Sequence, residues 1–313
     1  MRQSSDLRPV QLPPSRTAIV RGADGTRLHT EVFGPEDGYP IVLAHGITCA
    51  LRVWREQIAD LAGDYRVIAF DHRGHGRSGV PGRGHYSLNH LASDLDAVLE
   101  ATLGPGERAV IAGHSMGGIA ISAWADRYRH RVSRRADAVA LINTTTGEII
   151  RQVKLLAVAP QLAVGRDVIG RQMIKRFGGI PLLRAAEAPS RRFVAALAVG
   201  RDADPEIASF VYDLYATTPP AGRGGCARML IDSLEKRHIP LDGLTVPTLV
   251  IGSARDRLLP LDSSRRIAER VPNLVDLLEL SGGHCSILER PAEVNAALRS
   301  LAQSASAATQ LTS

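Results

Sequence analysis

Residues 108–118 read Arg-Ala-Val-Ile-Ala-Gly-His-Ser-Met-Gly-Gly, and the fold turns on how they are read. Residues 109–112 are an apolar run of the kind that forms a buried strand. The run stops at Gly113, and Gly-His-Ser-Met-Gly then fits the pattern G-x-S-x-G. From Ile119 the chain continues Ile-Ala-Ile-Ser-Ala-Trp-Ala, a buried helix. A strand that turns sharply into a helix strains the residue at the turn. Gly113 and Gly117, two positions either side, let the neighbouring backbone pass close. The Ser115 hydroxyl then stands clear of the sheet at a helix N-terminus, where backbone N–H groups face developing negative charge. The stretch reads as a nucleophile elbow.

The same rhythm runs outward in both directions. Residues 18–20 and 28–33 read as short strands joined by the turn Gly22-Ala-Asp-Gly25. Residues 41–44 are a buried strand ending at His45-Gly46, and residues 51–61 have helical apolar spacing. Residues 66–70 form the next strand. Ser87 caps a helix whose apolar face is Leu88, Leu91, Leu95, Val98 and Leu99. After the elbow come a strand over 137–143 and, from 246, another strand, a helix near 262–270, a strand near 274–280 and a last helix over about 287–301. Strands apolar on both faces and alternating with helices predict an α/β fold: a mostly parallel central sheet covered by helices on both sides. Between 147 and 237 there are helical patterns but no strand, which predicts a helical cap inserted into a core of 17–146 and 238–303. Residues 1–16 read as a disordered arm and 304–313 as a flexible tail.

A serine hydroxyl needs a base to attack at neutral pH. The base belongs at a strand end on the same sheet edge, and His284 follows the last strand in Ser281-Gly-Gly-His284. A carboxylate must fix the imidazole tautomer, and Asp256 follows the strand before it in Gly252-Ser-Ala-Arg-Asp256. Glu148, after the preceding strand, is the second candidate for that acid. The order Ser115, Asp256, His284 suits this architecture. Two N–H donors should hold an oxyanion. Met116, after the nucleophile, supplies one; the loop His45-Gly46-Ile47 supplies the other, through Ile47. His45, Gly46, Gly113, His114 and Gly117 are the supporting residues of the elbow and loop.

With these motifs in place, the chain resembles the α/β-hydrolase superfamily over nearly its whole length. The resemblance rests on His45-Gly46, Asp71-His-Arg-Gly-His-Gly-Arg-Ser78, residues 113–118, Asp256 within Gly-Ser-Ala-Arg-Asp-Arg-Leu-Leu-Pro260, and Gly283-His284 followed by Glu289-Arg-Pro291. Within the superfamily it is most similar to the serine esterase, monoacylglycerol-lipase and cofactor-free haloperoxidase-like group. That resemblance implies ester hydrolysis through an acyl-enzyme, with attack on the same intermediate by hydrogen peroxide as an alternative. A ligand-binding member without turnover is the second alternative. Haloalkane dehalogenases and epoxide hydrolases carry aspartate where Ser115 stands, so the resemblance argues against both.

Other signals exclude more than they add. Gly74-His-Gly-Arg-Ser-Gly79 matches a dinucleotide fingerprint, but Val80-Pro-Gly follows where that site would start its helix, so no cofactor is expected. His72, His75, His85 and His90 read as turn and surface histidines rather than a metal site. Cys49, Cys226 and Cys285 are too scattered for a disulfide framework or zinc, and Cys285 reads as a packed thiol. A hydrophobic content of 44% with 22% charge is that of a globular protein. The net charge of +6 permits a nucleic-acid partner, but no aromatic-basic interleaving accompanies it, so none is expected. No signal-peptide core opens the sequence and no apolar run reaches the ~20 residues of a membrane span. The expectation is a reduced, cytoplasmic enzyme acting on a small ester. The charge is concentrated in residues 151–201, where Arg151, Lys154, Arg166, Arg171, Lys175, Arg176, Arg184, Arg191, Arg192 and Arg201 face only Asp167 and Glu187. Charge runs are usually solvated faces, as on an ordinary lid. The sharper expectation is a basic rim around an apolar cap that makes peripheral contact with anionic lipid.

Overall fold

The structure is a computed structural model that describes residues 10–149, 172, 179, 187–200, 202–235 and 237–310. Eight strands form one sheet: β1 (Ser15–Arg21), β2 (Arg27–Phe33), β3 (Pro40–Ala44), β4 (Arg66–Phe70), β5 (Ala109–His114), β6 (Ala136–Ile142), β7 (Thr248–Ser253) and β8 (Leu274–Leu280). Their order is β1-β2-β4-β3-β5-β6-β7-β8. β1 and β2 pair antiparallel, as do β2 and β4, while every pair from β4 to β8 is parallel. This is the expected α/β-hydrolase architecture.

The alternation of side chains explains why the central strands are apolar throughout. Val42, Ile68 and Ile111 point to one face, where they meet Leu95 and Val98 of the helix Leu88–Thr102 and Trp124 of the helix Met116–Arg127. Ile41, Leu43, Val67 and Val110 point to the other, against Trp54, Ile58 and Leu298. Each such side chain removed from water contributes roughly 1.5–3 kcal/mol. Trp54 and Trp124 are fully buried, as expected of core residues. Ser87 caps its helix by accepting the His90 N–H.

The ends of the elements differ from expectation for identifiable reasons. Ser15 and Arg16, read as part of the arm, belong to β1 because they pair with Phe33 and Val32. The last helix runs Pro291–Gln310 rather than ending near 301. Alanine favours helix, and Ala302 and Ala305 bury against the core, so the segment read as a tail continues it. Between 147 and 237 the described residues form the helices Glu187–Ala198, Pro205–Thr217 and Pro220–Leu234, with no strand among them. The two ends of this stretch lie side by side, since the Ile239 N–H donates to the Thr146 carbonyl. Arg151, Lys154, Arg166, Arg171, Lys175, Arg176, Arg184 and Arg201 lie outside the described residues.

Candidate active site

Ser115 connects β5 to the helix Met116–Arg127 with φ 53° and ψ −116°. A non-glycine residue held there costs on the order of 1–3 kcal/mol and persists only where its surroundings fix it. Two hydrogen bonds do so. The Ser115 N–H donates to the Ile142 carbonyl at 3.0 Å, and the Thr144 hydroxyl donates to the Ser115 carbonyl at 2.7 Å. The glycines around it are sterically required. A Cβ on Gly113 would lie 2.5 Å from the Gly117 carbonyl carbon, and one on Gly117 would run into the Ala44 carbonyl. Met116 opens the helix, so its N–H is one of the donors without an intrahelical acceptor.

His284 and Asp256 follow β8 and β7, on the sheet edge that carries Ser115. The His284 Nδ1–H donates to Asp256 Oδ2 at 2.8 Å. That bond fixes the tautomer and leaves Nε2 with its lone pair. Asp256 is itself held: Oδ1 accepts the N–H groups of Leu258 and Leu259 at 2.9 and 2.8 Å, and Oδ2 accepts the Asn143 amide at 3.0 Å. Ser115, Asp256 and His284 are all at least 95% buried. Glu148, the other candidate acid, instead lies 3.9 Å from His238.

His114 ties the elbow to the histidine loop. Its Nε2–H donates to the His284 carbonyl at 2.9 Å, and the two rings lie 4.9 Å apart. Gly46 passes over the elbow from the other side; a Cβ there would be 3.1 Å from both Ser115 Cβ and His114 Nδ1. The Gly46 loop, with Ile47, rests on a set of buried imidazoles. The His45 Nδ1–H donates to the Gly46 carbonyl at 2.7 Å, while Nε2 accepts the His72 N–H. His75 Nε2 accepts the Thr48 N–H at 3.1 Å. Burial pushes His45 down to about 4, and His75 and His114 down to about 3, so all three stay neutral at ordinary pH. His72 and His75 are therefore not the surface histidines expected. The turn 71–78 folds inward under the Gly46 loop, because the buried Asp71 carboxylate must accept the Leu51 and Arg77 N–H groups at 2.7 and 2.8 Å. His85 and His90 do lie towards solvent. No helix follows Gly79 until Leu88, which removes the helix start a dinucleotide fingerprint needs. Cys285 is buried and its thiol is pushed well above its usual range by desolvation, as befits a packed side chain.

Sequence reasoning missed Asn143 and Ser286, and assigned no role to Glu289. Asn143, at φ 44° just past β6, donates to Asp256 and Ser253 and accepts the Ser286 hydroxyl at 2.5 Å. A polar residue ending an apolar strand on the elbow's own edge was the available signal. Glu289 Oε2 accepts the Gly283 N–H at 2.9 Å and the Gly200 N–H at 3.0 Å. It thereby joins the His284 loop to the end of the helix Glu187–Ala198, a long-range pairing with no local signature.

The alpha/beta hydrolase fold family matches residues 39–291, and the chain belongs to it. Among curated relatives, a non-heme chloroperoxidase from Streptomyces lividans is 43% identical over 100 residues, covering 32% of this chain and 35% of that protein. The 3-oxoadipate enol-lactonase 2 of Acinetobacter baylyi is 25% identical over 280 residues, covering 89% of this chain and 94% of the relative. Among solved structures, the esterase EaEST from Exiguobacterium antarcticum superposes with a TM-score of 0.73 at 19% identity, covering 92% of this chain and 100% of the other, a likeness of fold. Among the described residues no helix is long and apolar enough to cross a membrane.

Proposed function

We propose that the protein is a serine hydrolase that cleaves a carboxylic ester through an acyl-enzyme. The observation that carries this reading is the buried His284–Asp256 pair, tethered through His114 to a serine held at positive φ. Ser115 Oγ attacks the carbonyl carbon, and His284 Nε2 takes its proton. Asp256 keeps the proton on Nδ1 and stabilises the imidazolium that forms. The N–H groups of Met116 and Ile47 bind the oxyanion, each contributing on the order of a hundredfold or more in rate. His284 then protonates the leaving alcohol, and water releases the acid by the reverse sequence. Family membership supports hydrolase activity, and the enol-lactonase name of one relative favours the ester.

A second reading has its own support in the likeness to a chloroperoxidase without haem. Hydrogen peroxide attacking the same acyl-enzyme would release a peracid, which oxidises halide. The two are ranked by assaying p-nitrophenyl esters beside peroxide-dependent halogenation with added acetate. A fluorophosphonate probe tests what both share against a member that only binds its ligand. Wild type labels, and Ser115→Ala does not. No labelling of wild type, or undiminished labelling of Ser115→Ala, sinks the hydrolase reading.

The basic segment 151–201 completes the proposal: an acyl chain lies under the cap while arginines meet anionic head groups. Two of those arginines are described. Arg192 is exposed beside the exposed Phe193, whereas Arg191 folds over the Tyr212 ring, 4.6 Å from its centroid.

A further inference from the structure

Three side chains remote in sequence converge where the β1–β2 turn, the loop after β4 and the helix Leu88–Thr102 meet. Asp24 comes from the turn, His85 from the loop and His90 from the first turn of the helix. His85 Nδ1 lies 3.0 Å from Asp24 Oδ2, and His90 Nε2 lies 3.9 Å from the same oxygen. One ligand atom from each residue falls within 4.8 Å of the others. Ligands about 2.0–2.1 Å from a tetrahedral zinc ion stand roughly 3.3 Å apart, so small side-chain adjustments bring all three into range. We infer that Asp24, His85 and His90 form a structural site for one divalent transition-metal cation, with zinc(II) the best match to two imidazoles and a carboxylate.

The surroundings supply what such a site needs. Ser87 Oγ lies 2.7 Å from His90 Nδ1. When that nitrogen donates its proton to the hydroxyl, Nε2 is left as the metal-facing lone pair, the outer partner that ligating histidines usually have. Asp24 carries surplus negative charge. The buried Arg73 guanidinium is already matched by Asp94, at 2.6 Å through both Nε and Nη2, and its contact with Asp24 is a second carboxylate for one cation. His85 is half-exposed, so the fourth position faces water. A cation there would pin the hairpin and the loop to the helix. Through the Arg73 loop it would also brace His75, which holds the Thr48 N–H of the Gly46 loop.

The test uses untagged full-length protein, stripped with a chelator and exchanged into chelator-free buffer. Titration calorimetry should find one zinc per chain, cobalt(II) should give the visible bands of a tetrahedral site, and zinc should raise the thermal midpoint. His85→Gln/His90→Gln should lose all three while staying folded without metal, because neither ring is in the core. Ser87→Ala should weaken zinc about tenfold or more. His130→Gln, an exposed histidine elsewhere, should bind as wild type does. The inference is overturned if wild type takes up no stoichiometric zinc, if the double variant binds as tightly as wild type, or if His130→Gln abolishes binding.

Discussion

Asp256→Asn replaces one oxygen by an amide NH2, and the structure dictates which one. Oδ1 accepts two backbone N–H groups, from Leu258 and Leu259. Only an oxygen can occupy that position, so the NH2 must take the place of Oδ2. There it faces His284 Nδ1 at 2.8 Å and the Asn143 amide at 3.0 Å. It can donate to His284 only if Nδ1 becomes the acceptor, which moves the ring proton to Nε2. A ring protonated at Nε2 cannot take a proton from Ser115. The opposed amide groups of residues 143 and 256 add one unfavourable contact, a loss of about 1–3 kcal/mol in stability that a folded domain survives. The catalytic loss is larger. A wrong tautomer of this kind removes about four orders of magnitude in kcat, or about 5.4 kcal/mol of barrier at about 1.36 kcal/mol per decade. The assay is steady-state hydrolysis of p-nitrophenyl esters by wild type and Asp256→Asn, with a urea unfolding curve for each. A folded variant that turns over near the wild-type rate would refute the assignment of the acid to Asp256.

Asn143→Ala should lower kcat about tenfold to a hundredfold with KM little changed, because Asp256 and Ser286 both lose their tether; an unchanged kcat in a folded variant would remove Asn143 from the site. Stability should fall steeply on acidification. His45, His75 and His114 are held near 4, 3 and 3 against an ordinary 6.5. Above about pH 6.5 neither the folded nor the unfolded chain protonates them. Below it the unfolded chain gains protons the folded one refuses, at about 1.4 kcal/mol per pH unit for each histidine. Urea midpoints that stay level between about pH 7 and about pH 5 would contradict the buried, neutral imidazoles. For the cap, co-sedimentation with vesicles containing anionic lipid should exceed that with neutral vesicles at low salt and decline as salt is added, since the screening length is about 8 Å at physiological ionic strength. Equal binding to both lipids, or to neither, leaves an ordinary lid.

The elbow could be read from sequence because its constraints are local. A strand, a turn that tolerates only glycine at 113 and 117, and a buried helix follow one another without a gap. The parallel sheet was legible for a related reason: strands buried on both faces cannot hide their composition. Asp256 and His284 were legible as candidates because a strand-end position places a side chain on a known edge. Their 2.8 Å contact is another matter, since it joins strands whose pairing no local pattern encodes.

What tertiary structure alone decided is the polar scaffolding. His72 and His75 carry no mark of burial, and hydropathy places such residues in water. His75 goes inside because the Gly46 loop leaves the Thr48 N–H needing an acceptor, and both go with the turn that Asp71 draws inward. Asn143, Glu289 and the Asp24–His85–His90 cluster likewise depend on partners distant in the chain. Apolar burial is a property of each residue and repeats with the period of its element, so sequence records it. A buried hydrogen bond is a property of a pair, fixed only when packing brings both halves together.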